Sequence, residues 1–147
     1  MSDYISAELR DRIRQQAGNR CGYCLSLQKY VWGTLEIEHI IPKAAGGSSD
    51  EKNLWMACRP CNSHKADRTH GTDPLTDKII ALYHPRQQKW SEHFSWSNEG
   101  THIIGTTPCG RVTVEVLQLN NPFAITVRRS WVSVGWHPPE TENNFPP

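Results

Sequence analysis

A chain of 147 residues, 37% hydrophobic and 21% charged, has room for one domain with a real core and some appended structure. The formal net charge of +1 argues against a general polyelectrolyte binder, and no stretch approaches the roughly 20 apolar residues of a membrane span. Met1-Ser2-Asp3-Tyr4 lacks the basic region and apolar run of a signal peptide, so the chain reads as cytoplasmic, where paired cysteines more often hold metal than disulfides.

In chain order, Ser6 to Ala17 predicts a helix: Ser6 caps it, Leu9, Ile13 and Ala17 share a face, and Gly18 stops it. Arg10, Arg12 and Arg14 on its other sides are either phosphate contacts or a solvated face diluted by Glu8 and Asp11. Gly18-Asn19-Arg20 leads into Cys21-Gly22-Tyr23-Cys24. Val31 to Ile41 carries strand signals, with Leu35, Ile37 and Ile41 alternating against Glu36 and Glu38, and Pro42 ends it. Lys43 to Lys52, with Gly46-Gly47, is a loop. Leu54 to Ala57 reads as the returning strand, and Cys61 to Arg68 as a short helix. The local order is strand, loop, strand, helix.

Four of the five cysteines fall into two Cys-x-x-Cys pairs, Cys21 with Cys24 and Cys58 with Cys61. Each pair offers two sulfurs from one tight turn, so together they complete a tetrahedral thiolate shell for structural Zn2+. Cys109 is left over and reads as a small buried or loop residue. The long insert between the pairs holds Glu38-His39. With Asn62 these suggest a second metal position for a hard cation, Mg2+ or Mn2+, beside a histidine able to take a proton from water.

Beyond Gly71, Thr76 to Tyr83 looks helical, and His84-Pro85-Arg86 breaks it. Trp90 to Trp96 is rich in aromatic side chains, which either stack bases or pack the segment onto the core. Val112, Val114 and Val116 alternate as in a strand, yet Leu117 and Leu119 blur the period and the segment is read as helix. Asn121-Pro122 starts a helix running to about Val134, stopped by Gly135. His137 to Pro147, with its prolines, reads as an extended tail.

The order Cys21/Cys24, Glu38 to Pro42, Gly46-Gly47, Asn53-Leu54, then Cys58, Cys61, Asn62 and Lys65 resembles the HNH endonuclease family. The likeness covers roughly residues 18 to 70. It implies an α+β protein: a zinc-stabilised ββα-metal core over 1–70, opened by an N-terminal helix, a mainly helical extension over 71–136, and a tail over 137–147. It also implies His39 as general base, Glu38 and Asn62 as cation ligands, and Asn53 as the residue fixing the loop behind His39. Two departures stand out: glutamate takes the place of the aspartate many members carry, and asparagine that of the final histidine. Lys65 is either a phosphate contact or a solvated helix charge, and His64 either a ligand or phosphate contact or helix surface. The expected activity is metal-dependent hydrolysis of phosphodiester bonds in DNA, with RNA as a further substrate to test. A zinc-stabilised nucleic-acid-binding module without catalysis is the alternative; such a module has no need of Glu38-His39 and Asn62.

Overall fold

Ser6 closes the first turn of helix α1 (Ala7–Gln16), its Oγ accepting a hydrogen bond from the Leu9 amide at 3.1 Å. The structure, a computed structural model, describes residues 4–139. Ile13 and Ala17 are buried on one side of α1, and Gly18 and Asn19 end the helix with left-handed backbone. Its arginines make local contacts: Arg12 pairs with Glu51, Arg14 with Asp11, and Arg10 donates to the Ile5 carbonyl.

The central hairpin joins β1 (Glu36–His39) to β2 (Leu54–Ala57), antiparallel, with Glu36 opposite Ala57 and His39 opposite Leu54. The expected strand over Val31 to Ile41 is thus shorter at both ends. Residues 28–35 form a turn and loop tied to the Gln28 side chain, and Pro42 precedes another short turn. All four residues of β2 are buried, because α1 covers one side of the hairpin and α2 (Arg59–Lys65) the other. Leu54, Trp55 and Met56 pack with Ile5, Ile13, Ala17, Leu35 and Ile40.

The segment expected to be helical over Thr76 to Tyr83 is a hairpin. β3 (His70–Thr72) pairs antiparallel with β4 (Ile79–Ala81) across a turn that Asp73 closes. The Asp73 carboxylate accepts from the Leu75 amide, the Thr76 hydroxyl and both arms of Arg111. A run as short as Ile79-Ile80-Ala81-Leu82 fits either period, and here an arginine nearly forty residues away decides it. Helix α3 (Trp90–His93) leads into β5 (Phe94–Trp96), which pairs with β6 (Ile103–Gly105). The extension therefore adds two hairpins to its helices.

Helices α4 (Pro108–Val116) and α5 (Pro122–Ser133) begin alike, with Thr107 and Asn121 as caps and proline in the first turn. Gly110 is required where α4 crosses the chain: a Cβ there would lie 1.9 Å from the His93 carbonyl oxygen. The aromatic stretch packs inward, Trp90 donating from its indole to the Tyr23 carbonyl at 2.9 Å. One core joins Tyr23 and the cysteine pairs to Tyr83, Phe94, Ile103, Val112 and Leu117. His137, expected in the tail, is buried instead, its Nε2 3.0 Å from the Gly100 carbonyl; residues 140–147 lie outside the described residues. No helix among the described residues is long and apolar enough to cross a membrane.

Candidate active site and metal centre

Cys21 and Cys24 sit on a knuckle whose backbone closes on itself: the Leu25 amide donates to the Cys21 carbonyl and the Cys21 amide to Ser26. Leu25 takes left-handed backbone to complete it. Gly22 donates to Met56 of β2 and lies so close to Trp55 that a Cβ would fall 2.4 Å from the ring. Cys58 directly precedes α2 and Cys61 lies in its first turn, so hairpin and helix deliver the second pair. The four sulfurs lie within 4.8 Å of one another, and Cys24 and Cys58 are 3.7 Å apart. Tetrahedral bonding to zinc at ~2.3 Å requires sulfur–sulfur separations of about 3.8 Å, so the donor set fits zinc.

The four thiols also couple electrically. Hydrogen bonding from Cys21 first, then Cys58 and Cys61, holds the Cys24 thiol well below its ordinary value, while hydrogen bonding from Cys21 and Cys24 pushes Cys58 and Cys61 up. A divalent cation removes that conflict by stabilising every thiolate. Buried Arg128, held by the Thr101 and Leu119 carbonyls, feels the charge of all four cysteines. It is placed to offset the negative charge of a zinc–tetrathiolate centre.

Glu38 is 1% exposed, on the face of β1 turned towards α2. Its Oε1 accepts from the Tyr23 hydroxyl and lies 3.8 Å from the Lys65 ammonium, while Oε2 is buried with no partner. Two residues back on the same face, Glu36 Oε1 accepts from the Asn62 amide at 3.1 Å. His39 projects to the opposite face, its Nε2 3.0 Å from Ser49 Oγ. Glu38-His39, read together in sequence, therefore serve different sides of the strand.

Burial overturns the solvated-charge reading of Lys65. It is 2% exposed, and its ammonium donates to the carbonyls of Ile40 at 2.8 Å and His39 at 3.2 Å. It is not a solvated helix charge; it pins the end of β1 to α2 through the His39 and Ile40 carbonyls. His64 stays on the helix surface, Nδ1 2.8 Å from the Pro60 carbonyl. Cys109 is half-buried on α4. Glu36, Tyr23 and Ser49 were not singled out in the sequence. Glu36 was legible in principle, because it stands in period-two register with Glu38.

Burial pushes the Glu38 carboxyl up from the ordinary carboxylate range to about 7, with Lys65 and Tyr23 pulling the other way. A carboxyl that keeps its proton when folded, where the unfolded chain has released it, stabilises the fold at low pH. That stability is lost as pH rises through about 7. With no divalent cation added, the chain should lose on the order of 3 kcal/mol between about pH 5 and about pH 8. Urea titrations of Glu38→Gln should show this part of the slope flattened; an unchanged slope would assign it to another group.

Asn53 holds the loop behind His39. Its Oδ1 accepts from the Ile41 amide at 2.8 Å, and its Nδ2 donates to the carbonyls of Ile41 at 3.0 Å and Ser48 at 2.7 Å. Gly47 lets the chain pass, since a Cβ there would lie 1.7 Å from the Ile41 oxygen. Asn53→Ala should cost about 1–3 kcal/mol for each buried group left unpaired, and lower turnover more than nucleic-acid affinity. Unchanged turnover beside reduced stability would mean that Gly47 and its neighbours hold the loop unaided.

Residues 21–68 match the family model of the HNH endonuclease. No curated protein and no solved structure matches the chain. The matched stretch runs from the first knuckle through hairpin and helix, the elements that gather the four cysteines and carry Glu38, His39 and Asn62. Over residues 21–68 this chain is therefore similar to an HNH endonuclease, and the same stretch gathers four cysteines as a zinc-binding cluster.

Proposed function

We propose that this protein is a metal-dependent endonuclease hydrolysing phosphodiester bonds in DNA. The observation that carries the reading is the corner between β1 and α2. There a fully buried carboxylate with one unpartnered oxygen adjoins a Glu36–Asn62 pair, and His39 leaves the same strand end on the other side. A zinc module that only binds has no use for an ionisable group buried in this way.

The donor chemistry suits a hard cation: Glu38, Asn62 and, beside them, Glu36 offer carboxylate and amide oxygens, few enough to leave room for waters. Glu38 and Asn62 would hold a divalent cation, Mg2+ or Mn2+, which would supply positive charge against the negative charge growing on the phosphoryl and leaving oxygens. His39 takes the proton from a water as its oxygen bonds to phosphorus and the bond to the 3′ oxygen breaks. Ser49 orients the imidazole, Asn53 holds the loop that carries Ser48 and Ser49, and Lys65 fixes the backbone of His39. The 3′ oxygen takes its proton from solvent.

The direct test is nicking of supercoiled plasmid by the zinc-loaded protein with Mg2+, Mn2+ or Ni2+. Metal-dependent conversion to open circles is expected. Losses in Glu38→Ala and Asn62→Ala should be partly recovered by raising the cation concentration. A parent inert on single- and double-stranded DNA with all three metals removes the reading for DNA, and RNA becomes the substrate to test.

A further inference from the structure

A single exposed apolar side chain is ordinary, but Trp32 is the most exposed large hydrophobic residue among those described, and its loop is built to keep it there. Gln28 staples that loop from within: its Nε2 donates to the Gly33 carbonyl and its Oε1 accepts from the Leu35 amide, both at 2.7 Å. Tyr30 anchors the near side, stacked on Trp136 with ring centres 4.6 Å apart and 9° between planes. Gly33 makes the turn with left-handed backbone. The backbone that carries the indole is thus held in place, while the ring itself stands fully exposed.

Trp32 walls one side of a cavity of about 790 Å³, and Phe123 on α5, also exposed, walls another. Val31, Leu117 and Val127 add apolar surface. The volume lies within the ~300–1,000 Å³ of small-ligand sites. The same cavity is lined by Glu36, Arg59 and His64 together with Cys24, Cys58 and Cys61, so it reaches the Glu36 side of the Glu36–Asn62 pair.

We infer that this groove holds an unpaired nucleobase of the substrate strand, stacked against Trp32 and Phe123 beside the phosphodiester at the Glu36–Asn62 corner. Flat aromatic faces accept any base, and Arg59 supplies a cation for the backbone that joins base to phosphate. Bases within an intact duplex already stack on their neighbours. The groove therefore selects single strands or nucleotides turned out of the helix. The inference rests on the nuclease reading for the identity of its ligand.

The test is fluorescence anisotropy of the full-length zinc-loaded protein with a labelled oligothymidylate and with a blunt duplex of equal length, no divalent cation added. The single strand should bind more tightly. Trp32→Ala and Phe123→Ala should each weaken it roughly 5- to 150-fold, whereas Trp32→Phe stays close to the parent and duplex binding does not change. Parental circular dichroism and zinc content would establish that the variants fold. Equal single-strand affinity in the parent and both alanine variants overturns the inference. So does a dimer of the parent that Phe123→Ala abolishes while DNA binding is untouched, since the groove would then belong to a second copy. Binding is read without cleavage, so the two readings fail separately. A parent that nicks DNA while Trp32→Ala binds normally keeps the nuclease and loses the base pocket. A parent that binds single strands through Trp32 and never nicks keeps the pocket and loses the nuclease.

Discussion

Chelating the zinc should unfold the chain well beyond the segment that carries the cysteines. Zinc bound by four thiolates contributes roughly 10–16 kcal/mol in small zinc domains, as much as the ~5–15 kcal/mol that keeps a whole domain folded. Here the sulfurs are not a surface clip. Cys21, Cys24 and Cys61 belong to the same core as Phe94, Ile103, Val112 and Leu117. Losing the ion leaves coupled thiols in that core, and Arg128 loses the charge it faces. Near-ultraviolet circular dichroism, to which Trp90, Trp96 and Trp131 of the extension contribute, should therefore lose much of its intensity with the metal. One zinc per folded chain is expected by metal analysis. Well under one, or an aromatic signal that outlives chelation, would refute the claim.

His39→Ala should lower cleavage by roughly 10²–10⁴ while folding, zinc content and DNA binding survive. The separation follows from geometry. His39 meets Ser49 through its Nε2 while Asn62 bonds Glu36, and the Lys65 ammonium holds the His39 backbone carbonyl, which alanine retains. Raising Mg2+ or Mn2+ should not restore activity, because no cation concentration replaces a missing base. Rescue by metal would instead make His39 a ligand. A zinc module that merely binds DNA would show no difference between parent and variant.

Much of this protein is local and was legible in the chain itself. Ser6, Thr107 and Asn121 cap helices because their side-chain oxygens need only the amides three residues on. Paired Cys-x-x-Cys turns bring sulfurs together whatever surrounds them, and the four do converge. Gly46-Gly47 marked the loop, and Pro42 the end of its strand. What the sequence could not decide was burial, which depends on what packs opposite from far along the chain. Lys65 reads in the chain as a phosphate contact or a solvated helix charge, and only the fold sets the carbonyls of His39 and Ile40 and buried Glu38 around its ammonium. Residues 79 to 81 fit a helix as well as a strand until Arg111 closed on Asp73 and fixed the turn before them. Glu36 and Glu38 are chemically alike and share one face of β1. Only the tertiary structure, placing Asn62 beside the first and Tyr23 and Lys65 around the second, gives one a surface partner and the other a carboxyl near neutral pKa.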